Sequence, residues 1–246
     1  AAGFIGSHLT EALLSLGQEV AVLDDFSRGN IANINAALKA SGGEGTFMFL
    51  DGCITDIDTC REAVSGCDYV LHHAALASVP ESLAEPLHYH EVNVSGFANI
   101  LQASREANVK RVVYASSSAV YGDDETMPKV EAVTGKSLSP YAMTKYINEI
   151  YAEFFARVYG LECVGLRYFN VFGPRQDPNG AYAAVIPRWI DAVKAGNVPV
   201  IYGTGEQTRD FCAVQNVVKA NVLAALTPEA SGCVFNIGCG VRTSLS

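Results

Sequence analysis

Tyr141 and Lys145 stand four residues apart just inside a run opened by Ser139-Pro140, and three serines, Ser116-Ser117-Ser118, lie upstream. Proline favours the first helical turn, so the pair falls one turn apart on one helix face. An ammonium beside a phenol favours the ionised form, lowering a pKa that starts near ~10. A tyrosine tuned that way exchanges a proton with a sugar hydroxyl near neutral pH. The spacing alone decides little. With 11 Tyr and 7 Lys in 246 residues, such a pair arises by chance in roughly one chain in three. The elements around the pair must decide.

Composition narrows the candidates. The chain is 49% hydrophobic and 17% charged, so it can bury a sizeable core and reads as a soluble enzyme. A net charge of −9, with no lysine or arginine run, argues against nucleic acid and anionic membrane as partners. No apolar stretch approaches the ~20 residues that span a bilayer, and no secretory leader is visible. Seven scattered cysteines without a C-x-x-C pair fit free thiols in a reducing cytoplasm. No metal is expected, because His88 and His90 would point to different helix faces and His72-His73 are adjacent. The chain opens inside a glycine motif and closes after a strand-like run, so it reads as an internal segment of a longer protein.

Apolar runs alternate with helical stretches. Strands are expected at Glu19–Leu23, Thr46–Leu50, Tyr69–His72, Arg111–Ser116 and Leu161–Arg167. Helices are expected at Leu9–Leu16, at Ile57–Val64, as one long element within Leu87–Ala107, and at Pro140–Gly160. Continuous apolar strands separated by helices predict an α/β fold, a doubly wound parallel sheet covered on both faces. Residues 1–167 form the Rossmann-type part, lacking its first strand. Beyond residue 167, glycine and proline punctuation predicts a smaller substrate-facing lobe at 168–246, interwoven with the last strands and lacking its C-terminal end. It should hold a helix around Ala184–Ala195, a strand at Val200–Tyr202, a strand–helix unit at Phe211–Leu226 and a strand at Cys233–Ile237.

Gly3 and Gly6 open the first helix, where a backbone approaching a pyrophosphate needs glycine and the helix terminus offers N–H donors. Asp24 closes the next strand about 20 residues on, as expected of a carboxylate that binds ribose hydroxyls and repels a 2′-phosphate. The pattern therefore favours NAD over NADP. His73-Ala74-Ala75 ends a strand in small residues that let backbone approach a cofactor, and Asn93 lies in the helix that follows.

Taken together, Gly3-Phe-Ile-Gly6, Asp24-Asp25, His73-Ala-Ala75, Asn93-Val-Ser-Gly96, Ser116-to-Gly122, Tyr141-x-x-x-Lys145 and Arg167-to-Pro174 form an ordered set. That set resembles the extended short-chain dehydrogenase/reductase family, in particular its NAD-dependent nucleotide-sugar epimerases. Leu76-to-Pro80, Gln176-to-Pro187 and Thr208-to-Cys212 look most like UDP-N-acetylglucosamine 4-epimerases of bacterial surface-polysaccharide (lipopolysaccharide) biosynthesis. The resemblance implies Ser117, Tyr141 and Lys145 as catalytic residues, with Ser116 outside the site. It implies an NAD site from Gly3, Phe4, Ile5, Gly6, Asp24, Asp25, Ala74, Ala75, Asn93, Tyr141 and Lys145. A UDP-sugar would meet Ser78, Ser117, Ser118, Tyr141, Asn170, Val185, Tyr202 and Arg209, the arginine on the diphosphate and Val185 with Tyr202 around uracil. Without that resemblance, an ion pair of Arg209 with Asp210 or Glu206 would be the better reading.

The resemblance also implies a homodimer through the helices at Leu87–Ala107 and Pro140–Gly160, whose non-catalytic faces carry Phe97, Ile100, Ile150 and Phe154, although interior packing would explain these four equally well. There are departures from the family pattern. Cys53 stands where the family often has an aspartate for the adenine amine, so either some loss of adenine affinity or compensation by Asp51 is expected. A second pyrophosphate arginine and the residue gating the sugar C2 substituent should lie beyond Ser246. A 4,6-dehydratase would need Asp-Glu where this chain has Ser118-Ala119. UDP-glucose 4-epimerase, glucuronate epimerase and decarboxylase activities stay open, whereas the intact Ser117, Tyr141 and Lys145 argue against a non-catalytic nucleotide-binding protein.

Overall fold

The elements follow from alternation between apolar strands and helices that bury one face each. In the computed structural model, which describes residues 1–178, 184–201 and 203–245, the first six are α1 (Phe4–Ser15), β1 (Glu19–Asp24), α2 (Ile31–Ala40), β2 (Thr46–Asp51), α3 (Ile57–Val64) and β3 (Tyr69–His72). Next come α4 (Val79–Ala84), α5 (Pro86–His90), α6 (Gly96–Glu106), β4 (Arg111–Ser117), α7 (Pro140–Tyr159) and β5 (Glu162–Tyr168). The remainder is β6 (Val171–Phe172), α8 (Val185–Lys194), β7 (Thr208–Arg209), β8 (Cys212–Ala213), α9 (Val214–Leu226), β9 (Val234–Ile237) and β10 (Thr243–Ser244).

β3, β4, β5 and β9 form one parallel sheet in that order, and β1 pairs in parallel with β2. Among the described residues β1 and β3 share no ladder. Between them lies a cleft of about 790 Å³ lined by Val20, Val22, Val70 and His72. β4 shows how both faces are covered. Val112 and Tyr114 pack with Phe97, Leu101 and Phe155 of α6 and α7, while the intervening Val113 packs with Val217 and Ala224 of α9. The fold is therefore doubly wound, as the alternation predicts.

Three features differ from the sequence expectations. α2, capped by Asn30 through the Ala32 N–H at 2.8 Å, and α4, capped by Ser78, were not anticipated. The long helix is broken by a π turn at Glu91–Ser95, with Asn93 inside it. Val200 and Ile201 are not in a strand, and Tyr202 lies outside the described residues. The segment beyond residue 167 returns to the main sheet through α9 and β9 and adds two short ladders, β6–β8 and β7–β10. Of the four apolar residues on the expected dimer helices, Phe97 and Ile100 are buried against α3, the interior packing that the sequence left open, whereas Ile150 and Phe154 are exposed.

Candidate active site

Parallel strands leave their carboxyl ends facing one crevice, which is where ligands bind in such sheets. Asp24 ends β1, His73-Ala74-Ala75 follows β3, Ser117 ends β4 and Tyr168 ends β5. These residues line a cleft of about 400 Å³ together with Gly3, Phe4, Ile5, Gly6, Asp25, Tyr141, Lys145 and Asn170. Residues spread over most of the chain thus meet in one place.

α7 carries the proton-transfer pair. Ser139 caps it through the Ala142 N–H at 3.1 Å and Pro140 occupies its first turn, which points Tyr141 and Lys145 into the cleft. Ser117 caps the short 3-10 turn Ser118–Tyr121 by accepting from Ala119 N–H at 3.1 Å. Its hydroxyl hydrogen remains available to the neighbouring phenol. Burial raises the Tyr141 pKa, and a hydrogen bond with Ser117 opposes that rise. Lys145 donates to the Ala115 carbonyl at 2.9 Å, and burial lowers its pKa to about 8. This corrects the sequence reading: burial holds the phenol up, and Lys145, which turns to the Ala115 carbonyl at the end of β4, is not among the groups that lower it.

The nucleotide end fits NAD. Gly3 is the N-cap of α1, no side chain caps that helix, and a Cβ on Gly3 would meet nothing within 4 Å. The terminal N–H groups therefore face the cleft, as a pyrophosphate requires. Gly6 is needed for another reason: a Cβ there would come within 2.6 Å of the Ala1 Cα. Asp24 accepts from Ala2 N–H at 2.7 Å and from Phe26 N–H at 3.0 Å, which fixes its carboxylate at the cleft wall. Beside Cys53 the carboxylate in the cleft is Asp25, not Asp51, which is absent from the lining. Burial would raise Asp25, but hydrogen bonds from Ser27 and one with Cys53 hold it below the usual carboxylate value.

Asn93 stands one step behind the wall. Its amide accepts from Leu76 N–H at 2.8 Å and donates to Leu76 C=O at 2.9 Å and to Thr144 Oγ1 at 3.1 Å. It is buried and does not line the cleft, so it braces the segment after Ala75 instead of facing a cofactor. Its place in the π turn directs it there, since the wider turn rotates the side chain off the regular helix face.

The substrate-side residues are more dispersed. Asn170 lines the cleft with a positive φ of 34° and donates to the Asp210 carbonyl at 3.1 Å. Ser78 caps α4 by accepting from Glu81 N–H, and neither it nor Ser118 lines the cleft. Val185 is half-buried at the start of α8, and Tyr202 lies outside the described residues. Arg209 is exposed, and among the described residues its guanidinium donates to the Thr208 carbonyl at 2.9 Å. Asp210 accepts from Cys239 and Gly240 N–H groups, so the Arg209–Asp210 ion pair does not form. β10 places Arg242 beside it, with Thr243 opposite Arg209.

Three groups escaped the sequence reading. Arg28 lines the cleft and forms an ion pair with Glu81 of α4. His73 bonds Tyr168 Oη at 2.7 Å, Tyr168 is bonded by Asn221 at 2.8 Å, and burial pushes the imidazole down to about 3. The third is a buried ion pair, Glu149–Arg167, beneath the catalytic face of α7. A charge inside an otherwise apolar strand, as at Arg167, is the signal that could have exposed it.

Comparison with known proteins agrees with this geometry. Residues 1–238 match the NAD dependent epimerase/dehydratase family. The chain belongs to that family. With relatives named as UDP-sugar 4-epimerases, the chain is a Rossmann-type nucleotide-sugar epimerase with NAD as its cofactor. It is 39% identical over 246 residues to UDP-glucose 4-epimerase of Mycolicibacterium smegmatis, covering 99% of this chain and 77% of the relative. A UDP-N-acetylglucosamine 4-epimerase from Methanobrevibacter ruminantium, in complex with UDP-N-acetylmuramic acid, superposes with a TM-score of 0.91 at 42% identity, covering 99% of this chain and 76% of that one. The Thermus thermophilus UDP-glucose 4-epimerase in complex with NAD superposes with a TM-score of 0.87 at 35% identity, covering 99% and 77%. Among the described residues no helix is long and apolar enough to cross a membrane.

Proposed function

We propose that this epimerase interconverts UDP-N-acetylglucosamine and UDP-N-acetylgalactosamine, with Ser117, Tyr141 and Lys145 as its catalytic residues. The observation that carries the catalytic part is convergence: the three residues line the same cleft as Gly3 and Asp24. Tyr141 as phenolate takes the proton of the sugar 4-hydroxyl, and Ser117 hydrogen-bonds at the same oxygen. NAD held at Gly3, Gly6 and Asp24 would supply the acceptor for hydride from C4 and its return to the opposite face. The 4-keto sugar turns about its link to the diphosphate, and Tyr141 then gives its proton back to the new hydroxyl. Lys145 places a cationic amine at the cleft wall, and Asp24 holds the adenosine ribose.

Arg209, exposed and outside any ion pair among the described residues, is a bidentate donor suited to a diphosphate. Asn170, Ser78 and Ser118 are assigned to the sugar and phosphate, and Val185 with Tyr202 to uracil. The N-acetyl sugar is favoured by the 42% identity to the Methanobrevibacter enzyme. UDP-glucose is the second reading, favoured by the Mycolicibacterium relative. Ser118-Ala119 offer no acid–base pair for 4,6-elimination, which disfavours the dehydratase.

The active unit is a homodimer. Met143, Ile150, Phe154 and Val158 recur at helical spacing on the outer side of α7 and are 40–49% exposed, a stripe that a second copy would cover. Ile150→Glu is expected to yield monomers by sedimentation. Substrate choice is tested by offering the NAD-loaded protein UDP-N-acetylglucosamine and UDP-glucose without reductant and resolving the 4-epimers by chromatography. Faster turnover of UDP-glucose would overturn the N-acetyl assignment, and turnover by Tyr141→Phe would overturn the role of Tyr141.

A further inference from the structure

Ser116 and Ser117 are neighbours on β4 with opposite duties. Strand alternation groups Ser116 with Val112 and Tyr114, the side against which α7 packs. Its Oγ donates to Glu149 Oε1 at 2.5 Å. The same carboxylate receives a two-point fork from Arg167, Nε to Oε1 at 2.9 Å and Nη2 to Oε2 at 2.8 Å. Arg167 is also the cross-strand neighbour of Ser116 in the β4–β5 ladder. The three residues are 2%, 9% and 4% exposed, so water does not loosen these bonds.

Their placement relative to the reacting groups is specific. Glu149 follows Lys145 by one helical turn and Tyr141 by two, on the same buried side of α7. Ser116 immediately precedes Ser117. Arg167 further holds the Glu131 carbonyl at 3.1 Å and lies 4.9 Å from the centre of the Tyr121 ring, so the loop after Ser118 is tied to the same point. Apolar contacts such as those of Ala152 and Phe155 permit a helix to slide, whereas a bidentate fork fixes both distance and rotation. A buried ion pair adds little net stability over an apolar core of the same shape, so energy alone does not account for one at this spot.

The ion pair at the other end of the same two strands is different in kind. Arg111 and Glu162 pair there, but Glu162 is 46% exposed and Arg111 mainly caps the carbonyls of Ala224 and Thr227 at the end of α9.

We propose that Ser116, Glu149 and Arg167 form a positioning triad that sets α7 against β4 and so holds the Tyr141 oxygen at the Ser117 hydroxyl. Glu149 and Arg167 stand behind the cleft wall, Ser116 lines it beside Ser117, and the triad acts through Ser117 and Tyr141. The proposal rests on the reading of Tyr141 as the base.

The test uses Ser116→Ala in the NAD-loaded protein, which removes one bond and leaves the Glu149–Arg167 pair whole. Epimerisation kcat is expected to fall about 10- to 100-fold with KM unchanged, the scale of a small misplacement of reacting groups. The acidic limb of the kcat profile should move to higher pH, because a weakened Ser117 bond no longer opposes the burial of the phenol. Ser116→Thr, which keeps the hydroxyl, should restore both. Glu162→Gln serves as a control that perturbs the same strands and should leave kcat and the pH limb in place. An unchanged kcat and limb in Ser116→Ala, or an equal loss in Glu162→Gln, would overturn the triad. If the parent protein epimerises neither UDP-sugar, the functional reading fails by itself. The triad is then read from the ultraviolet titration of Tyr141, taken as the difference from Tyr141→Phe. An upward shift in Ser116→Ala supports the triad, and no shift overturns it.

Discussion

Lys145 is 3% exposed, and burial lowers its ammonium from an ordinary 10.5 to about 8. That displacement corresponds to about 3 kcal/mol of stability, lost when the folded protein must carry the charge. A folded pKa below the unfolded one means that the unfolded chain binds more protons between about pH 8 and 10.5, so stability rises with pH across that window. Below about pH 8 the full penalty is present, and above about pH 10.5 it is gone. Lys145→Met keeps the apolar stem and removes the charge, at the cost of about 1 kcal/mol for the unpaired Ala115 carbonyl. The variant should therefore be about 2 kcal/mol more stable than the parent near pH 7 and about 1 kcal/mol less stable above pH 10.5. Urea unfolding of both proteins before NAD is added, at several pH values, measures the difference directly. Epimerase activity should be lost throughout. A difference that does not change with pH, or a variant less stable near neutrality, would refute the account of Lys145 as a buried charge kept for chemistry.

Tyr141 in the protein before NAD is added should titrate above its ordinary 10, since burial outweighs the Ser117 bond. A midpoint below that value, by ultraviolet difference from Tyr141→Phe, contradicts the geometry. Asn93→Ala should destabilise the fold by about 2–3 kcal/mol, because it leaves the Leu76 N–H and C=O unpaired in a buried place. NAD binding should weaken with it, as seen by equilibrium dialysis, because Leu76 forms part of the cleft wall. Glu81→Gln should speed NAD release about 2- to 5-fold by loosening Arg28 at the cleft, in line with a partly exposed ion pair of about 0.5–1 kcal/mol. Stopped-flow displacement checks this, and an unchanged release rate removes Arg28 from the cofactor site.

Much of the site was legible because it depends on local rules. Helix starts at Gly3 and Pro140, strand ends at Asp24 and Ser117, and four-residue spacing on α7 all follow from short-range geometry. α2 was missed because its apolar residues, Ile31, Ile34 and Leu38, are sparse among alanine and asparagine. Asn93 was misplaced because a π turn depends on what the helix meets, not on its own period.

By itself the sequence determined the parallel α/β architecture and the glycine-opened helix with Asp24 beyond it, for which apolar periodicity and a few residue types suffice. The Ser117–Tyr141–Lys145 set came from the family resemblance and not from spacing. Only the tertiary structure decided which way the buried charges face. Lys145 turns to Ala115, Asp25 rather than Asp51 stands beside Cys53, and Glu149 joins Ser116 to Arg167. Hydrogen-bond partners of buried polar groups are chosen by neighbours far apart in the chain, because every such group must find one once water is excluded.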